Sequence, residues 1–213
     1  REFAFKKYIC LKDAQENYVI FLCVALIPWT FFSTVVTQSA AVIINNSNII
    51  KKVYFPREIL PISVVTSATV NFLISTIIIL FFILFYRAGF SWYIVFYPFI
   101  LLIQYLLSLG ISFLISSLTV YLRDLEHLIG VAIMMLFYAT PIAYSSDSIP
   151  GEFQFIMRLN PMAYIIDAYR DIFYYQTMPE LKSLGILLII TIALVVIGYI
   201  VFNKLQKGFA EEL

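Results

Sequence analysis

Of 213 residues, 62% are hydrophobic and only 13% are charged, with a mean hydropathy of +0.93; about a quarter of the residues of a soluble domain are charged. Lipid is therefore the solvent for most of this chain. A net charge of +1 with no basic tract gives nucleic acid nothing to bind, and two cysteines, Cys10 and Cys23, are too few for a disulfide framework or a metal site, so no metal ligands are assigned.

The chain opens on Arg1, Glu2, Phe3, Ala4, Phe5 and Lys6, a basic amphipathic fragment suited to a cytoplasmic membrane surface. A helix needs about 20 apolar residues to cross the hydrocarbon core. Uncharged runs reach that length over residues 18 to 45, 62 to 86, 92 to 120 and 184 to 202, and a shorter fifth run covers 128 to 144. Helices satisfy their own backbone groups in lipid, so the fold class is all-α, a polytopic transmembrane bundle with five visible spans. Lys51, Lys52 and Arg57, then Arg123, then Lys204 and Lys207 alternate with spans so as to share one side, and the positive-inside rule makes that side cytoplasmic. Arg87 and the segment 145 to 183, richer in Asp and Glu, fall on the other side. Parity then puts the basic N-terminal fragment outside, and one further span near Lys6 and Lys7 would remove that contradiction; we expect one there. Between the last two spans, Asn160 as a cap and Pro161 in the first turn start a helix too short to cross. With the segment that begins at Ser148 it predicts a pair of short re-entrant helices dipping into the outer leaflet.

The spans hold almost no ionisable side chains, which argues against ion-coupled transport. His127, the sole histidine, stands beside Asp124 and Glu126 at the start of a span and reads as a boundary residue. Seven glycines never form a Gly-x4-Gly-Lys-Ser/Thr loop, so no cofactor is assigned to this chain; if transport is active, a separate subunit uses ATP and Mg. No nucleophile, base and orienting group cluster visibly, so no catalytic residue is assigned.

Two polar stripes remain. Ser63, Ser67, Asn71 and Ser75 recur along one side of their helix, and Thr30, Ser33, Thr34, Thr37 and Gln38 mark a side of the span before it. They fit either close helix packing or a translocation lining, and the series Ser108, Ser112 and Ser116 reads as packing. The loop containing Lys51, Lys52, Tyr54, Phe55, Pro56, Arg57 and Glu58, closed by Pro61, is too polar to insert and too apolar for a solvated turn. It suits a lever seated in a partner's groove or a lipid anchor. On the outer side, Arg158 and Arg170 are candidates to meet an anionic polymer, with local ion pairing such as Asp167 to Arg170 as the alternative.

At the loop Ile50-Lys51-Lys52-Val53-Tyr54-Phe55-Pro56-Arg57-Glu58 the chain resembles the type-2 ABC exporter permeases that handle O-antigen and teichoic acid. The likeness continues in Ile27-Pro28-Trp29-Thr30-Phe31-Phe32, Tyr121-Leu122-Arg123-Asp124 and Leu159-Asn160-Pro161-Met162 and covers essentially the whole chain, as a single permease domain over residues 1 to 213. Tyr169 to Tyr175 looks closer to the wall teichoic acid permeases of Gram-positive bacteria. The resemblance implies a subunit of six spans in the bacterial cytoplasmic membrane. It implies a homodimer with two copies of a separate ATP-binding subunit docked on the Lys51 to Glu58 loop. The cargo it implies is a lipid-linked anionic polysaccharide, a wall teichoic acid on undecaprenyl diphosphate, with O-antigen as the alternative. A membrane enzyme or flippase acting alone would have to work through Asp124, Glu126 and His127, and a passive channel would need no ATP-binding partner.

Overall fold

Each long apolar run becomes a helix, as lipid demands of a backbone that must satisfy itself. The computed structural model describes residues 2 to 52, 55 to 85, 92 to 143 and 160 to 209, with side chains from Tyr18 onward apart from Ile49, Lys52 and residues 82 to 85. Helix α1 covers Glu2–Asn45, short α2 Ser47–Lys52 and α3 Ile59–Phe85. A 3-10 turn at Trp92–Phe96 leads into α4, Tyr97–Tyr121, followed by α5, Leu125–Ala139. Helix α6, Pro161–Arg170, runs into a π turn at Asp171–Tyr175, and α7, Leu181–Leu205, ends in a 3-10 turn at Gln206–Gly208. Among the described residues four segments are long and apolar enough to cross a membrane: Tyr18–Asn45, Ile59–Phe81, Trp92–Tyr121 and Leu181–Gly208. Helix α5 is the shorter fifth.

The expected spans are present with shifted ends. The second begins at Ile59, so Pro61 sits in the first turn of α3, where a missing N–H costs no helical bond, and does not close a separate loop helix. The fifth run forms its helix from Leu125 to Ala139 instead of from 128 to 144. Helix α1 runs unbroken through Lys6 and Lys7, where a further span was expected, and the re-entrant segment from Ser148 to Leu159 lies outside the described residues.

Helix α6 starts where its caps predict. Asn160 accepts from the Met162 amide at 3.0 Å and donates to the Thr140 hydroxyl at the end of α5 at 2.8 Å, while Pro161 occupies the first turn. With ten residues α6 cannot cross. It is buried inside the bundle, where Met162, Ile165, Ile166 and Tyr169 join Val24, Val35, Phe72, Ile103 and Leu187 in the main core. A satellite core of Val42, Ile43, Ile50, Phe113, Phe202 and Phe209 lies at the basic end.

Helices α4 and α7 share the most extensive interface, and small residues permit it. A Cβ on Gly198 would lie 2.6 Å from the Gly110 carbonyl oxygen, and one on Gly110 would lie 2.9 Å from the Leu194 and Val195 backbone. The α4 serine series packs as expected: Ser39 of α1 and Ser112 share a 2.7 Å hydrogen bond, and Ser112 reaches the Pro61 carbonyl of α3 at 3.4 Å. Outward faces of α3, α5 and α7 carry exposed Ile77, Phe81, Met135, Ile189 and Ile197, which suits lipid contact.

Contacts between distant segments reproduce the loop parity. At one end Arg57 meets Gln206 and Tyr121 meets Leu205. At the other end Tyr18 donates to the Ala143 carbonyl and Arg170 to that of Ile142.

Candidate functional site

The two polar stripes converge near the middle of their spans. Thr30 and Thr34 of α1 face Asn71 and Ser75 of α3 across an open groove of about 110 Å³, whose other walls are Ile27, Phe31, Ala68 and Phe72. The hydroxyls rest on their own helices: Thr30 donates to the Ile27 carbonyl at 2.9 Å and Ser75 to that of Asn71 at 3.0 Å. Such internal bonds let a hydroxyl sit in an apolar setting, and they can be exchanged for a ligand's groups. Asn71 adds an exposed amide. The remaining stripe residues lie outside the groove. Ser33 is half-buried and bonded to the Thr30 carbonyl, Thr37 and Gln38 are exposed further along α1, and Ser63 and Ser67 are exposed nearer the basic end of α3.

An aromatic wall backs the groove. Phe31 and Phe72 pack with centroids 5.4 Å apart, and Phe72 stacks on Tyr97 and tilts against Tyr169. Gln104, fully buried in α4, holds this region together: its amide donates to the Pro28 carbonyl at 2.9 Å and accepts from the Tyr169 hydroxyl at 2.8 Å. A buried amide in lipid must find partners on both sides, so Gln104 joins α1, α4 and α6. Sequence reasoning misses this residue, although a lone amide in the run 92 to 120 is a signal of that need.

At the basic end the loop expected to meet a partner divides in two. Lys51 and Pro56 are exposed, and Phe55 is half-buried against the satellite core. Tyr54 lies outside the described residues, as does the side chain of Lys52. Arg57 and Glu58 turn inward: the guanidinium donates to the Gln206 carbonyl and lies 5.9 Å from the Phe209 ring centroid, and Tyr199 donates to the Glu58 carboxylate at 3.4 Å. Asp124, Glu126 and His127 are exposed at the turn between α4 and α5. Among the described residues no group of three His, Cys, Asp or Glu side chains is placed to hold a metal ion.

At the opposite end Arg158 lies outside the described residues, and Arg170 is 1% exposed. Its guanidinium donates to the Ile142 carbonyl at 2.7 Å, covers the Phe21 ring at 3.7 Å and lies 3.8 Å from the Asp167 carboxylate. The ion pair that spacing allowed is present, and the arginine faces the bundle rather than the surface where a polymer contact was the other candidate role. The Asp167 side chain is 40% exposed, whereas that of Arg170 is 2% exposed. On the neighbouring π turn, burial pushes the Asp171 carboxyl up to about 6, helped by the charges of Asp167 and Glu180.

An all-helical bundle whose apolar helices are long enough to cross a membrane, with a polar groove between α1 and α3, defines a multi-pass membrane protein. Residues 3–174 match the family described as ABC-2 type transporter. The chain is 38% identical over 213 residues to an O-antigen export system permease protein RfbA of Klebsiella pneumoniae, covering 99% of this chain and 81% of that protein. A protein of the same description from Myxococcus xanthus is 31% identical over 207 residues, covering 96% and 80% respectively. The chain belongs to the ABC-2 type transporter family and is its membrane permease component.

Proposed function

We propose that this chain is the permease subunit of an ATP-driven exporter that carries an undecaprenyl-diphosphate-linked polysaccharide from the cytoplasmic to the outer face of the bacterial cytoplasmic membrane. An O-antigen-type glycan is favoured as cargo over wall teichoic acid. The observation that carries the reading is the groove between α1 and α3, where Thr30, Thr34, Asn71 and Ser75 present hydroxyls and an amide beside Phe31 and Phe72. Uncharged hydrogen-bonding groups next to aromatic rings suit sugars, which have apolar faces and hydroxylated edges. They suit the phosphates of a teichoic acid less well, because phosphate recognition draws on arginine or lysine. The relatives named for O-antigen export support the same choice.

A groove of about 110 Å³ holds a few atoms of a sugar, not a glycan chain. The passage therefore needs a second wall, and a second copy of this chain facing the groove supplies it. Two copies of a separate ATP-binding subunit, using ATP and Mg, dock on the exposed part of the Lys51 to Pro56 segment. The permease contributes a path and a conformational change, and hydrolysis belongs to its partner.

Co-purification in mild detergent tests this directly. The chain should retain the ATP-binding subunit, and Lys51→Glu or Phe55→Ala should reduce that retention and export together at equal permease content. If both variants assemble and export at wild-type levels, the docking surface must be sought around Arg123 and Asp124. In proteoliposomes, ATP hydrolysis should be stimulated more by a lipid-linked neutral glycan than by a lipid-linked polyol phosphate, and Thr34→Leu with Asn71→Leu should abolish the difference. Stronger stimulation by the polyol phosphate restores the teichoic acid reading.

A further inference from the structure

We infer that Arg57 and Glu58 form a brace rather than a docking contact. They lock the coupling segment onto the end of the last span, α7, so that segment, α7 and α4 move as one block. This inference rests on the proposed exporter function and concerns how a partner's stroke enters the bundle.

The final carbonyls of a helix have no partner of their own and attract cations. At the end of α7 and in the 3-10 turn after it, the Leu205 carbonyl and the Gln206 carbonyl, which already accepts from the Phe209 amide, both receive side chains from far away in sequence. The Arg57 guanidinium, 149 positions distant, donates to the Gln206 carbonyl, and the Tyr121 hydroxyl, 84 positions distant, donates to the Leu205 carbonyl at 2.8 Å. Arg57 also lies over Phe209, and the Tyr121 ring is 6.3 Å from the same ring. Phe209 is fully buried in the satellite core, against Phe202 at 5.7 Å. A Cβ on Gly208 would push the Tyr121 hydroxyl aside from the Leu205 carbonyl. Glu58 adds the Tyr199 bond about two turns further up α7.

Arginine suits this position because its planar fork can bond a carbonyl while its face rests on a ring. A guanidinium so engaged has a donor and a face committed within the chain, while Lys51 and Pro56 are exposed to meet a partner. Movement of a packed element passes to whatever is bonded to it, since packed interfaces shift between discrete arrangements and do not stretch. The coupling segment is continuous with α3 along the chain and reaches α7 and α4 through Arg57, Glu58 and Tyr121.

The test uses the permease assembled with its ATP-binding subunit in membranes, scoring capture of that subunit, ATP hydrolysis and export. For Arg57→Gln, export per ATP hydrolysed should fall about tenfold while capture persists, and Tyr121→Phe should lower the same ratio. The double variant should be no worse than Arg57→Gln, because both changes open one junction. Capture that falls in step with export would make Arg57 a docking contact and overturn the brace, as would an unchanged ratio. Failure of the wild-type pair to assemble would strike the exporter reading itself, which this comparison keeps separate. If Arg57→Gln fails to insert, Pro56→Cys with Lys207→Cys in a background lacking Cys10 and Cys23 decides. Export should survive a short bifunctional thiol link between a moving block's own parts, and loss of export on linking would show that the segment slides on α7.

Discussion

Arg170 shows how a charged side chain is kept inside a bundle. The Phe21 face and the Ile142 carbonyl replace water on two sides of the guanidinium, and Asp167 neutralises part of its charge from the rim. Because the Asp167 side chain is 40% exposed, removing the arginine leaves that carboxylate hydrated rather than stranded. The loss is then one charge-assisted hydrogen bond plus a desolvated cation–π contact, about 2 to 4 kcal/mol for Arg170→Gln. Thermal unfolding in detergent should report that loss, with Arg170→Lys recovering only part of it for want of the planar fork. Full stability in Arg170→Gln would mean that the guanidinium is not seated there. Asp171 supplies a pH dependence. Its folded value of about 6 lies above the ordinary 3.8, so the protonated form favours the folded state. That contribution is complete below 3.8 and disappears as pH rises through about 6. Protection of the outer segment against trypsin at Lys182 should therefore be greater at mildly acidic than at neutral pH, and Asp171→Asn should flatten the profile at the protected level.

At the scale of elements, the crossing of α4 on α7 depends on glycine because backbone meets backbone. The Gly110 carbonyl would stand 2.6 Å from a Cβ on Gly198, and neither group can rotate away as a flexible side chain would. Gly198→Ala should cost about 1 to 3 kcal/mol through overpacking. Gly130 in α5 has open space around it, so Gly130→Ala should be neutral or slightly stabilising through helix propensity. Equal effects of the two substitutions on thermal stability would contradict this packing. Helix α6 makes the complementary point. Its start was legible from Asn160 and Pro161, whose chemistry acts within a few residues. Its burial was not, because partners such as Gln104 on α4 and Ile142 in the bend after α5 lie elsewhere in the chain.

Across the whole molecule, loop parity and tertiary contacts agree on two ends. Cysteines introduced as Lys51→Cys, Arg123→Cys and Lys207→Cys should react only with thiol reagents that reach the cytoplasm, while Glu180→Cys should react from outside. Labelling of Lys51→Cys from outside would reverse the orientation and move the proposed docking surface to the wrong side for an ATP-binding partner.

The amino-acid sequence alone determined which stretches cross lipid, which loops share a side and where α6 begins. Those properties depend on run length, charge placement and local caps, all of which act along one chain segment. It also singled out Thr30, Thr34, Asn71 and Ser75, since a hydroxyl or amide is conspicuous in an apolar span. Only the tertiary structure decided that these four share a groove while Ser63, Ser67, Thr37 and Gln38 do not. The same holds for Arg57 and Arg170, which turn toward Gln206 and Ile142. The physical reason lies in the solvent: a helix in lipid is apolar on its outer and its packed faces alike, so periodicity does not reveal which face meets a neighbour. Small residues, hydrogen bonds and close backbone contacts between distant segments choose that face, and they exist only once the bundle has assembled.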